Sequence, residues 1–114
     1  MKQFNFIKGR KNEALAENFL KKKGYKIIER NYSNHLGEID LIVAKKDILV
    51  FVEVKFRQTD KFGLPREAVG IYKQNKIKKT ATLYLQQNHL SEKQIRFDVI
   101  DILGEEITHI ENAF

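Results

Sequence analysis

The sequence contains no cysteine, which excludes disulfide bonds, thiolate nucleophiles and cysteine-type zinc sites. A chain without cysteine also fits a reducing compartment. No segment approaches the roughly 20 consecutive apolar residues of a membrane-spanning helix, and the N-terminal residues contain no apolar signal core. We therefore expect a cytoplasmic protein that does not associate with a membrane.

The sequence also has no internal repeat and no linker rich in glycine, serine or proline. Its single proline, Pro65, stands in a turn-like stretch shortly after Gly63. The 114 residues, of which 42% are hydrophobic, can build one core and are too few for two. We expect a single domain that spans residues 1–114.

Positive charge exceeds negative charge, with 21 Lys and Arg against 15 Asp and Glu and a net charge of +6. This balance suits a polyanionic partner such as nucleic acid, although many basic proteins of this size do not bind nucleic acid. The three histidines, His35, His89 and His109, lack the spacing of metal ligands, which favours surface or structural roles. Arg96 and Asp98 share one side of a predicted strand, which favours a structural ion pair.

The hydrophobic pattern predicts two helices and five strands. The first helix covers about residues 8–23, and a second, basic helix opens at Pro65 and runs to about Gln87. Extended apolar runs predict strands over residues 25–31, 38–44, 48–57, 95–103 and 107–110, with the first three as an antiparallel meander. The order α-β-β-β-α-β-β therefore predicts an α/β fold with helices flanking a mixed sheet.

The predicted two-residue turn at Lys46–Asp47 sets the register between the second and third strands. Residues at equal distances before and after such a turn face each other across the two strands. This register places branched apolar side chains on one face, which we expect to be the core. These residues are Ile39, Leu41, Val43, Val50, Val52 and Val54. The third strand is also apolar on its other face, so we expect it to be central in the sheet.

The opposite face carries four charged residues at one end, because the same register places Asp40 opposite Glu53 and Glu38 opposite Lys55. Two facing carboxylates repel each other unless a cation lies close by. Hard oxygen ligands select Mg²⁺ or Mn²⁺, and waters and a substrate phosphate can complete the coordination. Lys55 stands about 7 Å beyond Glu53, where it could hold or deprotonate an attacking water or stabilise a transition state. The pattern indicates metal-assisted hydrolysis.

A Glu-x-Lys tripeptide on its own is usually a surface ion pair of little energetic value, and the facing Asp40 is what favours a metal site. Glu13 on the first helix is either a further carboxylate of this site or a first-turn residue that favours the helix dipole. Basic residues near the acidic cluster are candidate phosphate contacts, with a solvated surface as the alternative. These residues are Arg57, Lys61, Lys73 and Lys76.

Spaced matches along nearly the whole chain point to a known family. They are Gly9-Arg10 with Glu13 and Ala16, Asn31, residues 37–42, residues 51–55, Phe62-Gly63, Lys73, residues 96–98 and residues 112–114. In these residues the sequence resembles the small bacterial proteins of the YraN or UPF0102 family. That family looks related to archaeal Holliday junction resolvases within the PD-(D/E)XK nuclease superfamily.

The resemblance implies a restriction-endonuclease-like fold, a metal site at Asp40 and Glu53 and a catalytic lysine at Lys55. It also assigns Glu13 as the glutamate of the first helix and Lys73 as a basic residue of the following helix. Ile39 stands where the superfamily's motif has proline, a position that varies among active members.

Three functional hypotheses follow. The favoured one is a Mg²⁺- or Mn²⁺-dependent endonuclease that acts on DNA, including branched or repair intermediates. The second is a non-catalytic nucleic-acid-binding module of the same fold that acts in repair or recombination complexes. The third treats the acidic cluster as an internal ion network. Symmetric cleavage of two strands by the endonuclease would require a homodimer, because one site cuts one strand.

Overall fold

Two helices and a five-stranded sheet make up the part of the chain that the computed structural model describes, residues 13–58 and 69–114. The described part of helix α1 covers residues 13–22, and residues 8–12 of the predicted helix lie outside the described residues. Strands β1 (Lys26–Asn34), β2 (Gly37–Lys45) and β3 (Ile48–Arg57) follow. Helix α2 (Ile71–Gln87) and strands β4 (Gln94–Leu103) and β5 (Glu106–Ile110) complete the order. The predicted α-β-β-β-α-β-β order is confirmed. Neither helix is apolar and long enough, within these ranges, to cross a membrane.

The sheet has the strand order β1-β2-β3-β4-β5 and is mixed. Strands β1 to β3 form the predicted antiparallel meander, and β5 is antiparallel to β4. Strands β3 and β4 pair in parallel along the whole length of β3, and α2 lies in the crossover between them. Strand β3 is therefore central, as its apolar residues predicted.

Each face of the sheet carries its own apolar core. The α1 side consists of Ala16, Leu20, Tyr25, Leu41, Val43, Val50, Val52, Ile100 and Ile102. The α2 side consists of Ile39, Ile42, Leu49, Phe51, Val69, Ile77, Ala81, Tyr84, Leu85 and Val99. Successive residues of β3 alternate between the two cores, which explains why that strand is apolar on both faces.

The predicted register of the β2–β3 hairpin is confirmed from Lys45↔Ile48 to Leu41↔Val52, where the ladder ends. The prediction for Ile39 is wrong, because Ile39 packs in the core on the α2 side and not with Leu41. The change of face occurs between Leu41 and Ile39, where the β2–β3 ladder ends and Asn31 on the neighbouring strand β1 has a φ of +51°.

Helix α2 begins later than predicted. Pro65 lies outside the described residues, and Val69 and Gly70 are not helical. The backbone of Gly70 is extended, with φ −73° and ψ 166°, and its carbonyl accepts the first helical hydrogen bond from the N–H of Gln74 at 2.9 Å. The Gln74 side chain also donates to the carbonyl of Val69, whose own side chain is buried in the core. These contacts fix a turn that precedes the helix at Ile71.

The end of the β1–β2 hairpin lies directly against α2. Gly37 has a φ of +156°, and a Cβ placed on it would lie 2.8 Å from Oγ1 of Thr80. Any residue other than glycine at this position would therefore require neighbouring atoms to move. The side-chain amide of Asn34 donates to the carbonyl of Thr80 at 3.2 Å, and its Oδ1 accepts from the N–H of Leu36 at 2.9 Å. The hairpin end and α2 are thereby fixed as two walls of one cleft.

The predicted ion pair of Arg96 and Asp98 is confirmed as part of a buried network. Arg96 donates to both carboxylate oxygens of Asp98 at 2.8 Å, and Asp98 also accepts from the N–H of Asn112 at 3.0 Å. Nε2 of His109 lies 2.7 Å from Oδ2 of Asp98. Burial alone would raise the pKa of Asp98, but these hydrogen bonds outweigh it and hold the pKa below its ordinary value. The network ties the C-terminal residues to β4.

Candidate active site

Asp40 and Glu53 lie where β2 and β3 separate. The ladder between these strands ends at Leu41↔Val52, and Oδ2 of Asp40 accepts a hydrogen bond from the N–H of Val54 at 2.8 Å. The carboxylate therefore takes the position of a backbone acceptor, which anchors Asp40 beside β3 even though Asp40 and Glu53 are not ladder partners. The predicted proximity of the two residues holds, but the backbone pairing predicted for them does not.

The electrostatic environment of Asp40 disfavours its charge. Burial raises its pKa most, and the negative charge of Glu53 raises it further. The N–H of Val54 and the positive charge of Lys73 act in the opposite direction and only partly compensate. The result is a pKa of about 6, compared with an ordinary value of 3.8. Burial and the neighbouring carboxylate thus disfavour the charged form of Asp40.

Lys73 on α2 is the counter-ion of Glu53. Its Nζ lies 2.7 Å from Oε1 of Glu53, whose side chain is only 7% exposed, whereas the Lys73 side chain is 45% exposed. Burial alone would lower the pKa of Lys73, but its hydrogen bonds with Glu53 and Lys55 and the nearby carboxylates raise it. The predicted phosphate contact of Lys73 stays a prediction, and its observed partner is a carboxylate.

Lys55 follows Glu53 on β3 and belongs to the same charged cluster. Burial lowers its pKa most, and the hydrogen bond with Lys73 and that lysine's positive charge lower it further. The predicted pairing of Lys55 with Glu38 is wrong, because the β2–β3 ladder has already ended, and Glu38 pairs with Ser33 on β1. Lys55 therefore interacts with α2 and with the carboxylate pair.

A cleft of about 540 Å³ opens over the carboxylate pair, between α2 and the end of the β1–β2 hairpin. Its volume lies within the range of small-ligand sites. The lining residues are Gly37, Glu38, Asp40, Glu53, Tyr72, Lys73, Lys76 and Ile77. One wall is thus acidic, the other is basic, and the two carboxylates are accessible from the cleft.

Glu13 lies at the start of the described part of α1 and contacts β1. Its Oε2 accepts from the side-chain amide of Asn31 at 3.3 Å, and it does not line the cleft. Within residues 13–58 and 69–114, no group of three or more His, Cys, Asp or Glu side chains is arranged to hold a metal ion. The structure thus brings Asp40 and Glu53 together without Glu13, whose predicted role stays a prediction.

The other predicted phosphate contacts differ in their surroundings. Lys76 is exposed and lines the cleft, whereas Lys61 lies outside the described residues. Arg57 donates to both carboxylate oxygens of buried Asp101 on β4, at 3.0 and 2.9 Å. Sequence reasoning missed Asp101, although an acidic residue within the apolar run of β4 is a signal that could have identified it.

Fold and site together define a small α/β protein with a carboxylate pair beside the central strand of a mixed sheet. The uncharacterised protein family UPF0102 matches residues 12–102, and the chain belongs to this family. It is similar to UPF0102 proteins that align over nearly their full length. In Natranaerobius thermophilus the relative is 50% identical over 117 residues, 96% of this chain and 98% of the relative. In Clostridioides difficile it is 47% identical over 112 residues, 96% and 98%. In Persephonella marina it is 41% identical over 111 residues, 97% and 96%.

Proposed function

We propose that this protein is a divalent-metal-dependent endonuclease that hydrolyses phosphodiester bonds in DNA. The observation that carries the proposal is the pair of Asp40 and Glu53 in a cleft whose other wall presents Lys73 and Lys76. Acidic ligands for a cation and basic groups for a phosphate thus share one cavity. The implied resolvase-like and PD-(D/E)XK relationship is part of the same proposal.

The residues present fit Mg²⁺ or Mn²⁺ that is held jointly by protein and substrate. Two carboxylates supply hard oxygen ligands, and a cation bound between them would offset the burial and the repulsion from Glu53 that raise the pKa of Asp40. Mg²⁺ commonly uses one or two carboxylates together with waters and substrate phosphates, so a third protein carboxylate is not required. When bound, the ion would stabilise the negative charge that develops on the phosphate.

The ion pair of Lys73 with Glu53 can change partners when substrate enters. A cation at the carboxylates would compete with the ammonium of Lys73, which lines the cleft and is exposed enough to move away from Glu53. Lys73 would then contact the phosphate beside Lys76. The same lysine thus serves as a counter-ion in the free protein and as a phosphate ligand in the complex.

Lys55 is the residue that handles the proton. Because its pKa is lowered, Lys55 is neutral for a larger fraction of the time than an exposed lysine. A neutral amine can accept a proton from the attacking water. The water oxygen then forms the new bond to phosphorus, the bond to the leaving oxygen breaks, and solvent protonates that oxygen. A single such site cuts one strand, so symmetric cleavage of both strands would require a homodimer.

Cleavage of labelled single-stranded, duplex and branched DNA with Mg²⁺ or Mn²⁺ tests this proposal. We expect cleavage by the wild-type protein, none with EDTA, and a loss of at least about 100-fold in Asp40→Asn and Glu53→Gln. Asp47→Asn, at the opposite end of the same hairpin, is the matched control and should retain full activity. Equal cleavage by Asp40→Asn and wild type would refute the proposal.

A second function is favoured by one observation, the 2.7 Å ion pair that already satisfies Glu53. In a non-catalytic DNA-binding module, Lys73 would stay on Glu53 permanently and the basic surface alone would bind DNA. Unchanged DNA affinity in Asp40→Asn and Glu53→Gln, with no metal dependence, would support this function. Binding should then be lost on charge reversal at Lys73 and Lys76 and fall steeply with salt.

A further inference from the structure

Tyr72 is an aromatic side chain with an unusual position. It is 81% exposed on the first turn of α2 and lines the same cleft as the carboxylate pair. No hydrogen bond or ring contact holds it among the described residues, whereas Tyr32 and Tyr84 pack edge to face with ring centroids 4.9 Å apart. Packing against residues 13–58 and 69–114 therefore does not account for an aromatic ring at this position.

The neighbours of Tyr72 supply the groups that bind a nucleotide backbone. Lys73 follows it directly, and Lys76 lies one helical turn further along the same wall of the cleft. An exposed aromatic ring beside two lysines matches the way proteins bind single-stranded nucleic acid, in which bases stack on rings and cations contact phosphates. The ring and both ammonium groups can be reached from one cavity.

We propose that Tyr72 stacks on an unpaired nucleobase of DNA next to the phosphate that Lys73 and Lys76 contact beside the Asp40–Glu53 pair. This inference rests on the proposed function and adds a substrate class to it, DNA with unpaired nucleotides at the site of cleavage. In an intact duplex both faces of each base are covered by its neighbours, so only an unpaired or displaced base can offer a face to the ring. Duplex DNA would meet only the lysines.

A single fluorescent reporter can be placed at this position, because the sequence contains no tryptophan. The variant Tyr72→Trp, combined with Asp40→Asn to prevent cleavage, is titrated with a single-stranded oligonucleotide. We expect quenching of its fluorescence as the indole stacks on a base. An oligonucleotide of equal length with abasic sites keeps the phosphates and should quench much less. Equal quenching by both oligonucleotides would overturn the inference.

Affinity measurements provide the second test. Tyr72→Ala should weaken binding of single-stranded DNA roughly 5- to 160-fold, the loss expected when a base loses its stacking partner. Its salt dependence and its affinity for duplex should stay unchanged, since the phosphate contacts remain. Ile71→Ala is the matched control, because Ile71 is 70% exposed on the same turn but does not line the cleft. Unchanged single-strand affinity in Tyr72→Ala, or an equal loss in Ile71→Ala, would contradict the stacking role.

The outcomes separate this inference from the proposed function. If the base-containing strand quenched the fluorescence but the wild type showed no metal-dependent cleavage, the stacking role of Tyr72 would stand and the proposed nuclease activity would be refuted. If Tyr72→Ala cleaved single-stranded DNA with metal as well as the wild type does, the proposed nuclease activity would stand and the stacking role of Tyr72 would be refuted. If the wild type did not bind single-stranded DNA, the stacking role of Tyr72 would also be refuted.

Discussion

Replacing Asp40 with asparagine should stabilise the folded protein at about pH 8 and leave its stability nearly unchanged at about pH 3.5. The substitution removes the negative charge beside Glu53. It also keeps a side-chain oxygen that can accept the hydrogen bond from the N–H of Val54. The variant thus isolates the electrostatic cost of the carboxylate from its role as a hydrogen-bond acceptor.

The magnitude follows from the pKa of Asp40, about 6 in the folded protein against an ordinary value of 3.8. A pKa that is higher in the folded protein means that folding favours the protonated form of Asp40. The stability that this preference contributes is fully present below about pH 3.8 and is lost as the pH rises through 6. The difference between the two pKa values corresponds to about 3 kcal/mol as an upper limit. Solvent screening at this partly exposed site reduces the expected gain in Asp40→Asn to about 1–2 kcal/mol.

Urea denaturation with EDTA present, at about pH 3.5 and pH 8, measures this effect as the difference in free energy of unfolding between variant and wild type. Asp47→Asn serves as the control, because it removes the same charge at the distant turn of the hairpin. The difference for Asp40→Asn should be within about 0.5 kcal/mol of zero at the lower pH. If Asp40→Asn were destabilised at pH 8, the carboxylate would be favourably paired in the free protein, and the inference that its charge is disfavoured there would be wrong.

Three further substitutions test contacts around the cleft, each by urea denaturation. Lys73→Met should lower the free energy of unfolding by about 1–3 kcal/mol, since it leaves Glu53 buried without its partner, and Mg²⁺ should restore part of the loss. Arg57→Ala should lower the free energy of unfolding by about 3 kcal/mol, because it leaves Asp101 buried without Arg57. The double variant Arg57→Met, Asp101→Leu should recover most of that loss. Gly37→Ala should cost about 1–3 kcal/mol, because its Cβ would lie 2.8 Å from a threonine hydroxyl of α2. Losses below about 0.5 kcal/mol would contradict the corresponding contact.

Local sequence patterns predicted the elements and the register of the hairpin. The alternation of apolar residues and the turn at Lys46–Asp47 correctly paired β2 with β3 as far as Leu41. Beyond that point the side chain of Asp40 replaces a backbone acceptor, and the periodicity of a sequence does not record such a substitution. The prediction for Ile39 fails at the same end of the β2–β3 ladder.

The ion pairs of the site could not be assigned from sequence, because they depend on the crossover. Lys73 reaches Glu53 from α2, and Arg57 reaches Asp101 from the neighbouring parallel strand. A charge pattern indicates basic residues near an acidic cluster but does not say which carboxylate each one meets. The start of α2 was also missed, since the turn at Gly70 is held by the side chain of Gln74.

The parallel pairing of β3 with β4 also determines when the central strand can be completed. Strand β2 meets β3 through a short turn, but β4 reaches it only after the α2 crossover has been synthesised. During that interval, the strand that carries Glu53 has one unpaired apolar edge, which can pair with other chains. A chain that stops before Gln94 would keep this edge permanently. Premature termination should therefore give aggregates and no partly folded protein with an intact carboxylate pair.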